Sequence, residues 1–118
     1  MSPRHPSATF NLAVCLEKLG RWGQACEQFQ KAFESDGKRL DALVGWGVCL
    51  LHLDRPQNAL DAFERCLEQE PGQETALFGK AVALQLTGRA DEAADVYKSG
   101  LDRNPNSEDA LVNLISIG

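Results

Sequence analysis

The chain has 118 residues, a formal net charge of −5, and 43% hydrophobic and 25% charged residues, the size and make-up of one soluble globular domain. Its acidic balance, with no run of Lys and Arg to offset it, repels a phosphate backbone and argues against nucleic acid as a partner. No run of about eighteen apolar residues offers a membrane span, and the start Met1-Ser2-Pro3-Arg4-His5-Pro6 lacks the apolar segment of a secretory signal, so a cytoplasmic protein off the membrane is expected.

Aromatic residues make up only 7% of the chain, and no β-branched runs stand between turn residues, which points to helices filled by Leu, Ala and Val. Taken in order, these helices are expected near residues 7–19, 24–36, 40–53, 58–70, 74–86, 91–104 and 108–117. Gly20 and Gly88 follow the first and fifth and allow the left-handed turn that ends a helix. Pro56 precedes the fourth, where its missing N–H costs nothing. Glu70-Pro71-Gly72 and Asn104-Pro105-Asn106 punctuate the chain, and Asp91 and Ser107 read as N-caps of the last two helices.

Laid over itself at a step of 34, the chain matches in small, large and turn-forming positions. Gly20 falls with Asp54 and Gly88, Ala13 with Gly47 and Ala81, and Leu16 with Leu50 and Leu84. Ala25, Ala59 and Ala93 form another column, as do Phe29, Phe63 and Tyr97, and then Gly37, Pro71 and Pro105. This period implies one domain over residues 1–118, built from three helix-turn-helix repeats (about 6–39, 40–73 and 74–107) and a trailing helix at 108–117. The alanine and glycine columns let the two helices of a pair approach. The aromatic four residues after each later alanine lies on the same face and can plug the gap to the next pair.

These residues resemble the tetratricopeptide repeat family, whose pattern is Trp-x-x-Leu-Gly-x-x-Tyr, then Ala-x-x-x-Phe, then Pro. The first copy reads Leu12-Ala13, Leu16, Ala25, Phe29, Gly37; the second Trp46-Gly47, Leu50, Ala59, Phe63, Pro71; the third Ala81, Leu84, Ala93, Tyr97, Pro105. Thr9, Leu43 and Leu77 replace the opening Trp, and Lys80 stands where Leu is usual, so it must snorkel outwards or line the inner surface. The resemblance implies an all-α, right-handed α-α superhelix that acts as a non-enzymatic protein-interaction scaffold. In such a solenoid a terminal helix usually turns a polar face outwards. Leu111, Leu114, Ile115 and Ile117 give the trailing helix an apolar one, and no capping helix precedes the first repeat, so a longer array is expected.

The resemblance further implies a concave groove lined by the first helix of each pair. Matched column by column, it presents Phe10, Val14, Val44, Val48, Leu51, Phe78 and Val82, with Glu17, His52 and Gln85 towards one rim. Gly45 and Gly79 on that face are expected to leave room for a partner. A subset of the family grips terminal carboxylates with Lys and Asn, but the matching columns hold Phe10, Val14, Gly45, Thr75 and Gly79. The expected partner is therefore an apolar peptide or amphipathic helix. Self-assembly into a homo-oligomer, or service as the docking region of a larger protein, are the alternatives.

No residue set announces chemistry, and no cofactor or metal is expected. His5 and His52 form no helical pair for a metal. Cys49 stands three residues from His52, but it shares with Cys15 a column read as buried. Together with Cys26 and Cys66 these are expected to be core thiols in a reducing compartment. Asp61, Glu64, Asp91, Glu92 and Asp95 fall on the outer helices as a solvated face. Gly45-x-Gly47 sits inside a helix without the turn of a phosphate loop.

Overall fold

The computed structural model describes residues 6–103. They form six helices and no strand: α1 (Pro6–Lys18), α2 (Trp22–Ser35), α3 (Leu40–His52), α4 (Pro56–Gln69), α5 (Glu74–Leu86) and α6 (Ala90–Arg103). Against the expected bounds, α1, α2, α4 and α6 begin one or two residues earlier, and α1 to α4 end one residue earlier. Pro56 is the first residue of α4 and sets its entry angle. Because α6 begins at Ala90, Asp91 lies within its first turn instead of capping it. The expected trailing helix at 108–117, with Ser107, Pro105 and its apolar face, lies outside the described residues.

The turn inside each pair is the same device used three times. Gly20 and Gly88 take φ of 74° and 83°. The next N–H reaches back to a carbonyl five residues earlier, Arg21 to Leu16 at 2.9 Å and Arg89 to Leu84 at 2.8 Å, while Gly20 and Gly88 donate to Glu17 and Gln85 at 3.0 and 3.1 Å. These bonds satisfy carbonyls the helix end leaves open. Asp54 does the same at φ 60°, with Arg55 bonded to Leu50 at 2.9 Å. A short polar side chain tolerates that region better than most, so the column keeps its turn without glycine.

Stacking follows from the small columns. Ala13, Ala25, Ala59 and Ala81 are fully buried and Ala93 nearly so, and between them sit the rings of Phe29 and Phe63 at 1% and 0% exposure. Each helix packs on its chain neighbours; α3 also touches α1 and α5, whereas α2, α4 and α6 do not touch one another. The odd helices are therefore the inner, concave layer.

The glycines on that layer correct one expectation. A Cβ at Gly45 would stand 2.5 Å from the Phe29 ring, and at Gly79 2.4 Å from the Phe63 ring, which also lies 2.7 Å from a Cβ placed on Gly47. The space directly over Gly45 and Gly79 is filled from within by the preceding repeat's phenylalanine, while Gly45 itself still borders the open concave face. Lys80 is half-buried, as a long stem with a charged head allows.

The cysteine column also divides. Cys49 and Cys66 are buried and Cys26 half-buried, but Cys15 is exposed. Cys49 is covered by α2 through Ala25, Phe29 and Ala32; among the described residues no helix precedes α1 to do the same for Cys15. Leu12 and Leu19, on the same stripe of α1, are 49% and 66% exposed. Burial pushes the Cys49 thiol up to about 12, helped by the charge of Glu17. A water-soluble alkylating reagent at neutral pH is accordingly expected to modify Cys15 well before Cys49 or Cys66, with peptide mass mapping giving the order.

Candidate functional site

On the concave face, α1, α2 and α3 with the start of α5 enclose an open cavity of about 440 Å³. Phe10, Val14, Glu17, Val44, Val48 and His52, all expected groove residues, line it. Others do not. Phe78 and Val82 are 3% exposed; Phe78 leans on Gly100, where a Cβ would come within 2.8 Å of its ring, and stacks on Tyr97 at 6.1 Å between centroids. Leu51 is half-buried against the core clusters. Gln85 is exposed and accepts a hydrogen bond from the Tyr97 hydroxyl at 3.4 Å.

Trp22, Phe29, Asp41, Gly45 and Thr75 complete the lining. Trp22 is the residue sequence reasoning missed: its column otherwise holds Pro56 and Ala90, so an aromatic there is the signal. Its indole lies flat on the His52 imidazole, 3.7 Å between centroids and 3° between planes, joining the start of α2 to the end of α3. Opposite, Phe10 meets Phe29 edge to face at 5.7 Å, and the Arg39 guanidinium sits 4.3 Å over the Phe10 ring. Arg39 is held there by two bonds to Asp41, 3.2 Å from Nε and 2.9 Å from Nη2. Asp41 is drawn below the usual carboxylate range chiefly by those bonds.

Two groups carry the cavity's electrostatics. Partial desolvation lowers the His52 pKa. The folded chain then holds that proton less tightly than the unfolded one, so stability is full above 6.5, the ordinary value, and declines as pH falls from there towards the folded value. The His52 ring signals in an NMR titration are expected to show a midpoint below 6.5, and Trp22→Ala, by exposing the ring, should move it back up. Burial raises the Glu17 pKa, with Lys18 partly opposing. Its carboxylate has no hydrogen bond or ion pair among the described residues. The unfolded chain sheds that proton first, so the penalty of holding the carboxylate is present at neutral pH and relieved on acidification.

Among the described residues no group of three or more His, Cys, Asp or Glu is arranged to hold a metal, and no helix is long and apolar enough to cross a membrane. A family model described as tetratricopeptide repeat matches residues 50–116. The chain belongs to the tetratricopeptide repeat family. A second family model, described as anaphase-promoting complex, cyclosome, subunit 3, matches residues 1–66 of the same array. No curated protein matches the tetratricopeptide chain in sequence.

Solved structures match its fold closely. The tetratricopeptide domain of Arabidopsis OM64 superposes with a TM-score of 0.86 at 17% identity, over 95% of this chain and 93% of that one. MamA gives 0.86 at 20% identity, over 92% of this chain and 64% of its own, so the array spans less than two thirds of MamA. The first tetratricopeptide domain of Spaghetti (RPAP3), bound to the HSP90 peptide SRMEEVD, gives 0.85 at 15% identity, over 99% and 95%. At these identities the likeness establishes an all-α tetratricopeptide solenoid.

Proposed function

We propose that this tetratricopeptide array is a non-enzymatic protein-interaction scaffold that takes an apolar peptide or helix into the cavity between α1, α2 and α3. One observation carries the reading: an open cavity of about 440 Å³ on the concave face, walled by Phe10, Val14, Val44, Val48 and Trp22. Such rigid apolar anchors supply most of the affinity in protein recognition. The site proposed is narrower than the column pattern implies, because Phe78 and Val82 are buried and do not line the cavity. That Spaghetti's domain holds a peptide supports this use of the fold. The free thiols of Cys15, Cys26, Cys49 and Cys66 support a reducing, cytoplasmic setting, and the unit proposed is a single domain with repeats at about 6–39, 40–73 and 74–107.

Val48→Asp is the direct test. Val48 is half-buried, so a carboxylate there reaches water without wrecking the core yet charges the cavity wall. It is expected to weaken peptide binding by tenfold or more, about 1.4 kcal/mol or above, with the circular dichroism spectrum unchanged. Binding measured by calorimetry that survives the substitution removes the cavity from consideration.

A second reading, self-assembly, is favoured by the exposed stripe of Leu12, Cys15 and Leu19 on α1. Sedimentation of the purified chain over a wide concentration range separates the two: a rising mass abolished by Leu19→Ser makes that stripe an interface between copies.

A further inference from the structure

The cavity that the proposed function uses as a peptide site is not uniformly apolar. Glu17 lines it, half-buried and without a hydrogen bond or ion pair among the described residues. The other carboxylate, Asp41, is already engaged by Arg39. Around Glu17 stand the aromatic rings of Phe10 and Trp22 and the valines of α1 and α3. An apolar segment closing over this cavity would take water from the carboxylate and give nothing back, a loss that sets in whenever a charge is buried unpaired. An occupant that seats well must therefore bring its own donor to Glu17.

We infer that the occupant of this cavity is a peptide segment in which a Lys or Arg, set among apolar residues, reaches the Glu17 carboxylate. Several observations favour a cation over a neutral donor. A carboxylate pairs most strongly with a charged donor, and the chain's net charge of −5 draws basic segments towards it. The imidazole at the rim is stacked on Trp22 and its pKa is lowered by partial burial, which limits its repulsion of a cation. Arg39, the guanidinium nearest Phe10, has its charge taken up by Asp41.

The probe is a short random peptide library displayed on phage and selected against the whole chain, followed by calorimetry on one synthetic winner and its Lys→norleucine or Arg→norleucine counterpart. Enriched sequences are expected to place a basic residue inside an apolar run. Replacing it should weaken binding by about tenfold, the worth of a charge-assisted hydrogen bond, and should change almost nothing when the protein carries Glu17→Gln. Glu17→Lys should turn the selection towards acidic residues. Neither substitution strips a bond from the folded chain.

Val48→Asp separates the two levels of the reading. If it leaves the winner's affinity intact, or if no sequence is enriched, the cavity is not the peptide site and both readings fall. If Val48→Asp abolishes binding but the winners carry no basic residue, or the norleucine penalty persists on Glu17→Gln, the cavity stands and the cation inference is overturned.

Discussion

Phe63→Ala is expected to destabilise the chain by about 3–5 kcal/mol, the usual loss for a fully buried aromatic. That is a large part of the total stability of a domain this size, about 5–15 kcal/mol. The reason lies in where the ring sits. Phe63 is 0% exposed, and it fills the space over Gly47 in its own repeat and over Gly79 in the next. Its removal empties a junction between repeats, not merely a spot within one. In a stacked array stability is the sum of repeat terms and interface terms, so urea unfolding should show both a lower midpoint and a shallower slope as the halves begin to unfold separately. A drop below about 1 kcal/mol, or a slope identical to the parent's, would show that the ring does not couple the repeats.

Gly79→Ala is expected to destabilise as well, although alanine is ordinarily the better helix former by about 1 kcal/mol. The added methyl would stand 2.4, 2.6 and 2.7 Å from three atoms of the Phe63 ring, which also lies close over Gly47 and has little room to move. Overpacking of this kind costs about 1–3 kcal/mol, which outweighs the gain in propensity. Gly23→Ala is the internal control: nothing lies within 4 Å of its added Cβ, so the same change there should be neutral or mildly stabilising. Pairing Gly79→Ala with Phe63→Leu should recover part of the loss, because the smaller side chain yields to the methyl. Thermal denaturation of the three variants decides the matter, and a stabilising Gly79→Ala would refute the close fit.

The architecture was legible because the chain states it three times. Every column at the 34-residue step repeats one solution to one packing problem, and the turn columns add helix ends to within a residue or two. Even Asp54 kept its place by adopting the backbone its glycine counterparts use. The candidate site was legible only in part, and the failures share a cause. A column tells which face of a helix a residue occupies, but not what the neighbouring helix places against it. Phe78 shares a column with Phe10, yet Gly100, standing where Ala32 and Cys66 stand in the earlier repeats, opens a berth on α6 and draws the ring inwards. Gly45 and Gly79 looked like vacant ground and are occupied by Phe29 and Phe63. Trp22 was missed because the repeat pattern assigns no role to the first residue of a second helix, and its meeting with His52, thirty positions on, is a fact of tertiary structure alone.

The contact pattern has a mechanical side. Helices touch only their chain neighbours and, on the inner layer, the next helix but one, and the body is drawn out to 47 Å against widths of 25 and 24 Å. No strand or long-range strap ties one end of the described stack to the other. Under tension along its length, such a body gives way hairpin by hairpin, each release lengthening the tether and leaving the rest folded. It is built to behave as a soft spring, one that re-forms from local contacts quickly when the load is removed.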